Sequence, residues 1–311
     1  MAADGADLAA GPQGVDTSGL RCGEALARHT SMRVGGPADF FCSVDSEAAL
    51  AAWLGWAREK ELPVFLLGGG TNLVVGDAGI RGLTLKLGRS FAASEWKVEG
   101  DEARVVVGAA ANFKRFVSET IQRGFAGLEF AEGIPGTVGG AVIMNAGAFG
   151  GEIGDTVDAI RGVSASGEIV RLPRAELDFA YRRLALPAGC VVTSLEVRLR
   201  RGDSKKMTEL AAVARGKRGK RQPRGYPNAG SIWKNPKGDY AGRLIDTAGL
   251  RGESVGGARI SEEHANFIVN VGDARAADVR ALMEHTRERV WATHGVWLEA
   301  EVKLVGEWSK P

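Results

Sequence analysis

Between Asp45 and Lys60 apolar side chains recur three and four residues apart, so that Leu50, Trp53, Leu54 and Ala57 share one helical face. Asp45 and Ser46, just ahead of them, are residue types that cap helix N-termini. The unbroken run Pro63-Val64-Phe65-Leu66-Leu67 predicts a buried strand that delivers the chain to Gly68-Gly69-Gly70. A strand over residues 104–107 precedes a second amphipathic helix with Phe113, Phe116, Val117 and Ile121 on one stripe. Residues 157–172 read as a hairpin turning at Ala165-Ser166-Gly167, followed by a strand over 190–199. The segment 202–225 is charged and helical in its middle. A long helix is expected over 274–293, with Asp273 as N-cap, Val279, Leu282, Met283, Thr286 and Val290 buried, and Gly295 as its stop. A terminal strand follows over 297–305. Leu298, Ala300, Val302 and Leu304 fall on one of its faces; Trp297, Glu299, Glu301 and Lys303 fall on the other. Strands and helices alternate irregularly and no repeat is evident, which predicts an α+β fold rather than a regular doubly wound sheet.

A chain of 311 residues is long enough for two or three packed units. Forty basic against 38 acidic side chains give a net charge of +2, too balanced for a surface devoted to nucleic acid. Three cysteines, Cys22, Cys42 and Cys190, make neither a disulfide framework nor a zinc site, and the four histidines have no HExxH spacing, so no metal is expected. The N-terminal residues lack the basic and apolar regions of a secretory signal. The longest apolar stretch, 48–57, is about half a membrane span. A cytoplasmic protein without a membrane partner is the expectation. The 44 glycines are roughly double the usual share of about 7%, and they cluster.

Leu67-Gly68-Gly69-Gly70-Thr71-Asn72-Leu73 is one such cluster. Without Cβ atoms the amides there can turn inward on an anion, and Thr71 and Asn72 add side-chain donors. An ordinary tight turn is the competing reading. Gly133-Ile134-Pro135-Gly136-Thr137-Val138-Gly139-Gly140 forms a second cluster, and Met144-Asn145-Ala146-Gly147-Ala148-Phe149-Gly150-Gly151 follows closely. The first matches neither the Walker nor the Rossmann pattern. Two such loops in one half of a chain can wrap a diphosphate from two sides.

These loops, with Arg33-Val34-Gly35-Gly36-Pro37-Ala38, Tyr181-Arg182, Asn228-Ala229-Gly230-Ser231-Ile232-Trp233-Lys234-Asn235-Pro236, 241–246, 261–270 and 297–302, resemble the UDP-N-acetylenolpyruvoylglucosamine reductase family in order and over nearly the whole chain. The resemblance implies a vanillyl-alcohol-oxidase/PCMH-type FAD-binding fold of two subdomains plus an α+β substrate-binding domain. It divides the chain into a disordered tail (1–18), FAD-binding subdomains (19–88 and 89–204) and a substrate domain (205–306). The absence of a long insertion after Arg182 resembles the shorter class of the family. The implied activity is NADPH-dependent reduction of UDP-N-acetylglucosamine enolpyruvate to UDP-N-acetylmuramate through FAD, by a monomer. Gly68, Gly69, Gly70, Thr71, Asn72, Leu73, Gly133, Ile134, Pro135, Gly136, Gly139, Gly140, Asn145, Ala146 and Gly147 are the implied cofactor contacts.

Hydride addition to the enolpyruvyl ether pushes charge onto its carboxylate, so the site needs donors there and an acid on the correct face. The resemblance assigns the carboxylate to Arg182, whose guanidinium can grip it bidentately. It assigns the proton to Ser231 and a further hydrogen bond to Glu301, which would have to be protonated. Without the resemblance these residues read as a surface arginine, a turn serine and one acid on a solvated face. Tyr181, Arg221, Lys234 and Asn235 are the implied substrate contacts. Arg215, Lys217, Arg218, Lys220, Arg221 and Arg224 put six cations in ten positions, open to three readings: a solvated helix end, a nucleic-acid patch or a diphosphate clamp. Phe149 stands where the family commonly has Tyr, and His264 reads as structural. The rival readings are another FAD-dependent oxidase or dehydrogenase of the same fold and a non-catalytic nucleotide- or RNA-binding protein.

Overall fold

The computed structural model of the protein describes residues 11–223 and 225–308, and of Lys217, Gly219, Lys220 and Arg221 the backbone alone. Six helices are used below: α1 (Glu47–Glu59), α2 (Phe113–Gln122), α3 (Val138–Ile143), α4 (Ser204–Arg221), α5 (Ala241–Thr247) and α6 (Ala276–His294). The strands are β1 (Arg21–Ala25), β2 (Pro37–Val44), β3 (Val64–Leu66), β4 (Leu73–Val75), β5 (Ile80–Leu87), β6 (Ser94–Glu99), β7 (Glu102–Gly108), β8 (Phe125–Ala126), β9 (Gly147–Ala148) and β10 (Gly151–Glu152). They continue with β11 (Val157–Val163), β12 (Ile169–Pro173), β13 (Asp178–Ala180), β14 (Arg183–Ala185), β15 (Val191–Arg201), β16 (Asn228–Ser231), β17 (Ser254–Val255), β18 (Ala258–Ile260), β19 (Phe267–Asn270) and β20 (Lys303–Val305). The expected α+β class holds. Two compact units divide the chain. The first takes Phe41–Gly68, Gly82–Arg218 and the described part of Met1–Arg21; the second takes Cys22–Phe40, Gly69–Arg81 and the described part of Gly219–Pro311. One four-stranded sheet runs in the order β1-β2-β5-β3, and the division falls inside β1, β2 and β5.

The first unit is built on an antiparallel sheet in the order β12-β11-β15-β7-β6, with β8 paired to β15. The hairpin of β11 and β12 turns where the glycine-containing turn predicted it. Helix α2 starts because the Asn112 side chain accepts the Arg115 amide at 2.9 Å. It puts Phe113, Phe116 and Val117 into one core with Val105, Val107, Leu195 and Val197. Helix α1 is capped by Ser46, whose hydroxyl accepts the Ala49 amide at 3.1 Å, and buries Leu50, Trp53, Leu54, Trp56 and Ala57. At its start Glu47 accepts from Arg161 Nε at 2.8 Å, Arg161 Nη2 at 2.7 Å and the Thr193 hydroxyl at 2.7 Å. Of the tail expected over 1–18, residues 1–10 lie outside the described residues; in 11–18, which form no helix or strand, Pro12 is buried.

The strand over Val64–Leu66 is not buried: Val64 and Leu66 are 39% and 37% exposed. It sits at the edge of its sheet, parallel to β5, and an apolar run alone does not distinguish an edge from a central strand.

In the second unit β16-β19-β18-β17 form an antiparallel sheet, and α6 buries Val279, Leu282, Met283, Thr286 and Val290 as its periodicity predicts. Gly295 ends the helix in the left-handed region (φ +67°). Its beginning differs from expectation. Asp273 has φ +53° and does not cap the helix; the carboxylate that does is Asp77, nearly 200 residues earlier, whose two oxygens accept the Ala276 and Ala277 amides at 2.9 Å each. The expected strand over 297–305 is also corrected: regular pairing is confined to β20, parallel to β4. The Glu301 and Val302 amides both converge on the Ile232 carbonyl, at 2.8 and 3.3 Å. The expected alternation holds through Lys303, with Leu298 and Val302 buried and Trp297, Glu299 and Lys303 exposed; it departs at Leu304, which is 39% exposed. Among the described residues no helix is long and apolar enough to cross a membrane.

Asp77→Ala should lower the unfolding free energy by about 1–2 kcal/mol, read by urea denaturation, since it removes the cap of α6. The hydrogen bonds from Arg161, ahead of that from Thr193, hold the Glu47 carboxyl below the usual glutamate range although partial burial opposes them. A depressed folded pKa stabilises the fold above the unfolded value of about 4.3 and loses that contribution as pH falls through the folded value. Glu47→Gln should therefore be less stable than the parent by about 1 kcal/mol at neutral pH, with the gap closing in acid denaturation series below pH ~4.

Candidate active site

The first glycine cluster is held by its carbonyls. Ser31 donates to the Gly70 carbonyl through its amide at 3.0 Å and its hydroxyl at 3.3 Å, and the Lys303 amide donates to the Asn72 carbonyl at 3.0 Å. Among the described residues, the five successive amides of Gly68, Gly69, Gly70, Thr71 and Asn72 donate to no backbone carbonyl. Gly70 has φ +62°, and a Cβ there would lie 2.0 Å from the His29 carbonyl oxygen. A turn whose carbonyls are fixed and whose amides are left over is the geometry an anion needs. The Asn72 side chain is not available as a ligand donor: its Nδ2 donates to the Glu301 carbonyl at 3.1 Å.

In the second cluster the amides of Ile134, Val138 and Gly139 donate to Ala131, Ala111 and Ala109, and the Gly140 amide to the Thr137 hydroxyl. Gly139 and Gly140 thus serve α3 and its packing, and the amides left are those around Gly133 and Gly136, at φ +88° and +110°. A Cβ on Gly68 would stand 3.0 Å from the Thr137 hydroxyl oxygen, a contact within the first unit. The fit to a dinucleotide pyrophosphate is therefore physical: backbone donors without partners, and no side chain at Gly68 or Gly136 to keep an anion away.

Helix α4 fixes this second loop. Arg218 donates to the carbonyls of Phe130, at 3.2 Å, and Glu132. The Glu132 carboxylate, 3% exposed, accepts from Arg215 at 3.0 Å and from the Ser118 hydroxyl at 3.2 Å. Burial holds the Arg218 guanidinium below the ordinary arginine range; the Arg182 charge acts in the same sense and Glu132 opposes. Two cations that sense each other favour an anion beside them. The sequence signal for Glu132, an acid directly before a loop glycine, is weak without the fold.

Asn145 is buried, and Ala146 and Gly147 take part in backbone pairing: the Ala146 amide donates to Ala141 at 2.8 Å, and Gly147 lies opposite Glu152. Tyr181 and Arg182 form the two-residue turn of the β13–β14 hairpin, with Arg182 at φ +57° and its guanidinium 5.0 Å from the Tyr181 ring centroid. Arg183 pairs instead with Asp178 at 3.0 Å.

The second unit carries Ser231 and Glu301. Ser231 ends β16 after a register shift, with Gly230 at φ +77° held by the Asn228 side chain. Among the described residues its hydroxyl makes no hydrogen bond, so its proton is available. The Ser31 hydroxyl also lies 2.6 Å from the Asn228 carbonyl, and the Glu301 amide is bonded to Ile232, next to Ser231. Gly70, Thr71, Asn72, Ser231 and Glu301 are thereby gathered on one backbone network, while Arg182 belongs to the first unit. Asn266, buried, locks this network by accepting the Trp233 amide at 2.9 Å and donating to its carbonyl at 2.8 Å. Lys234 is paired with Glu299, and the Asn235 side chain accepts the Ala241 amide at 3.1 Å. The Arg221 side chain and all of Arg224 lie outside the described residues. His264 accepts the Asn266 amide at 3.1 Å, a structural contact.

A family model described as the C-terminal domain of UDP-N-acetylenolpyruvoylglucosamine reductase matches residues 222–305, and an FAD binding domain model matches residues 38–173. The chain is 44% identical to UDP-N-acetylenolpyruvoylglucosamine reductase 2 of Symbiobacterium thermophilum, over 95% of this chain and 96% of that protein. It is 45% identical to the reductase of Geobacter metallireducens, over 91% and 93%. The crystal structure of the reductase from Thermus caldophilus superposes with a TM-score of 0.78 at 35% identity, covering 93% of this chain and 98% of that one.

Gly70→Ala introduces a Cβ against the His29 carbonyl and a left-handed strain of about 1–2 kcal/mol, so flavin affinity should fall about tenfold. The flavin-to-protein absorbance ratio after dialysis reads this, and a fully loaded variant would show that the turn does not carry the cofactor.

Proposed function

Because the chain belongs to the UDP-N-acetylenolpyruvoylglucosamine reductase family, we propose that it uses NADPH, through FAD, to reduce UDP-N-acetylglucosamine enolpyruvate to UDP-N-acetylmuramate in peptidoglycan precursor synthesis. The observation that carries the reading is the turn Gly68–Asn72, whose amides find no backbone acceptor among the described residues and which shares a backbone network with Ser231 and Glu301. When bound, FAD supplies a two-electron relay that accepts hydride from NADPH and returns it to the enolpyruvyl carbon–carbon double bond.

The protein's own residues do the rest. The amides of the first turn and those of Gly133 and Gly136 would hold the cofactor's pyrophosphate. Arg182 holds the substrate carboxylate, on which charge accumulates as hydride arrives at C3. The Ser231 hydroxyl gives its proton to C2, and solvent restores it. Serine is a weak acid, so this transfer runs only because the developing carbanion is strongly basic. Glu301, protonated, donates a further hydrogen bond to the carboxylate. Arg221, Lys234 and Asn235 hold the nucleotide diphosphate, for which Lys234 exchanges Glu299, itself 73% exposed, and Tyr181 makes a further substrate contact. The same reading places two FAD-binding subdomains in 19–88 and 89–204 and the substrate-binding part in 205–306, in a cytoplasmic monomer.

Anaerobic NADPH should bleach the flavin, and the enolpyruvyl substrate should restore its colour without oxygen. A protein that stays bleached is a different flavoenzyme; one that takes up no flavin is neither. Ser231→Ala should leave bleaching intact and slow recolouring by about 10²- to 10⁴-fold. Equal slowing of both steps would remove Ser231 from the proton-donor role.

A further inference from the structure

Arg182 occupies a costly conformation. At φ +57° a side chain other than glycine loses about 1–2 kcal/mol, so neighbouring structure must hold the turn. The hairpin carrying it has only three residues on each side, Asp178–Ala180 and Arg183–Ala185, too little to fix the turn by itself. One buried side chain fastens it from outside. Asn145, 1% exposed, donates through Nδ2 to the Ala180 carbonyl at 3.1 Å and accepts the Gly154 amide on Oδ1 at 3.2 Å.

The Ala180 carbonyl belongs to the peptide that leads directly into Tyr181 and Arg182, so fixing it fixes the direction in which the turn departs. Gly154 completes the joint. A Cβ there would lie 2.9 Å from the Phe179 ring, so the hairpin lies flat against this glycine and Asn145. Asn145 is itself left-handed (φ +39°), a conformation asparagine tolerates better than most residues, and its own amide is held by Val142 at 3.0 Å. With both polar side-chain atoms engaged and almost no exposed surface, its side chain is turned to the hairpin rather than to a bound nucleotide.

We infer that Asn145 is a positioning residue: it aims Arg182 at the substrate carboxylate instead of contacting the cofactor. The inference rests on the role proposed above for Arg182, and the experiment separates the two. Asn145→Asp keeps the shape, the tolerance of positive φ and the acceptor for Gly154, but sets a carboxylate oxygen against the Ala180 carbonyl in place of a donor. Flavin content and bleaching by NADPH should stay at the parent level. Recolouring by the enolpyruvyl substrate should slow about 10- to 100-fold, as expected for a misplaced contact group, with a higher KM for that substrate alone. In an Arg182→Ala background the same change should add nothing.

If Arg182→Ala recolours slowly but Asn145→Asp recolours like the parent, the positioning role falls and the Arg182 role stands. Equal slowing by Asn145→Asp with and without Arg182 also overturns positioning. If Arg182→Ala recolours normally, both fall. Asn145→Gly, which suits the left-handed backbone and adds no charge, is the second variant. Loss of flavin from both Asn145 variants would make the residue a cofactor or folding contact and end the inference.

Discussion

Among the described residues, five adjacent backbone donors without a backbone acceptor are the constraint around which this structure is arranged. An amide left unpaired away from water costs about 1–3 kcal/mol, and of the five residues only Gly69 is exposed. The chain accepts this between β3 and β4 by tying down the other side of the same peptides. Ser31 holds the Gly70 carbonyl, Lys303 holds the Asn72 carbonyl, and the packed His29 carbonyl excludes any side chain at Gly70. A turn fixed in this way does not rearrange when an anion arrives, so binding need not order it first.

The remaining parts of the site follow from how charge is supplied to a region that lacks it. In the first unit the cations come in a graded set. Arg215 neutralises the buried Glu132, Arg218 spends its donors on loop carbonyls, and Arg182 sits in a turn beside them, close enough for its charge to be felt at Arg218. In the second unit Glu301 and Ser231 are carried on backbone bonds instead: Glu301 through Ile232 and Asn72, Ser231 through the bulge at Gly230. Neither arrangement depends on surface ion pairs, which contribute little in water.

Local chemistry made much of this legible before the fold was known. Ser46, the stripe of α2, the β11–β12 hairpin and the Gly295 stop each act through residues within one or two turns of sequence, and each lies where periodicity and capping rules put it. What was missed depends on residues far apart in the chain. The cap of α6 comes from Asp77, which no local rule connects to Ala276. The exposure of Val64 and Leu66 depends on which strand lies at the sheet edge. The regular pairing of the last strand begins only at Lys303 because its partner is β4, far earlier in the chain. In the site the glycine clusters were visible as compositional excess, but the division of labour within them was not. Which amides stay free at Gly68–Asn72, and which at Gly139 and Gly140 are consumed by α3, is decided by partners such as Ala109 and Ala111 that carry no signal of their own.

Asn72 has one further implication. Its backbone amide is one of the turn's leftover donors, while its carboxamide grips the main chain at Glu301, 229 positions away. Neither segment can drift in sequence or be transplanted alone. A loop exchanged from a distant flavoprotein would arrive without the tether that registers the C-terminal acid, and a rebuilt C-terminus would release the turn. The two segments therefore constrain each other through that carboxamide and through the pairing of β4 with β20.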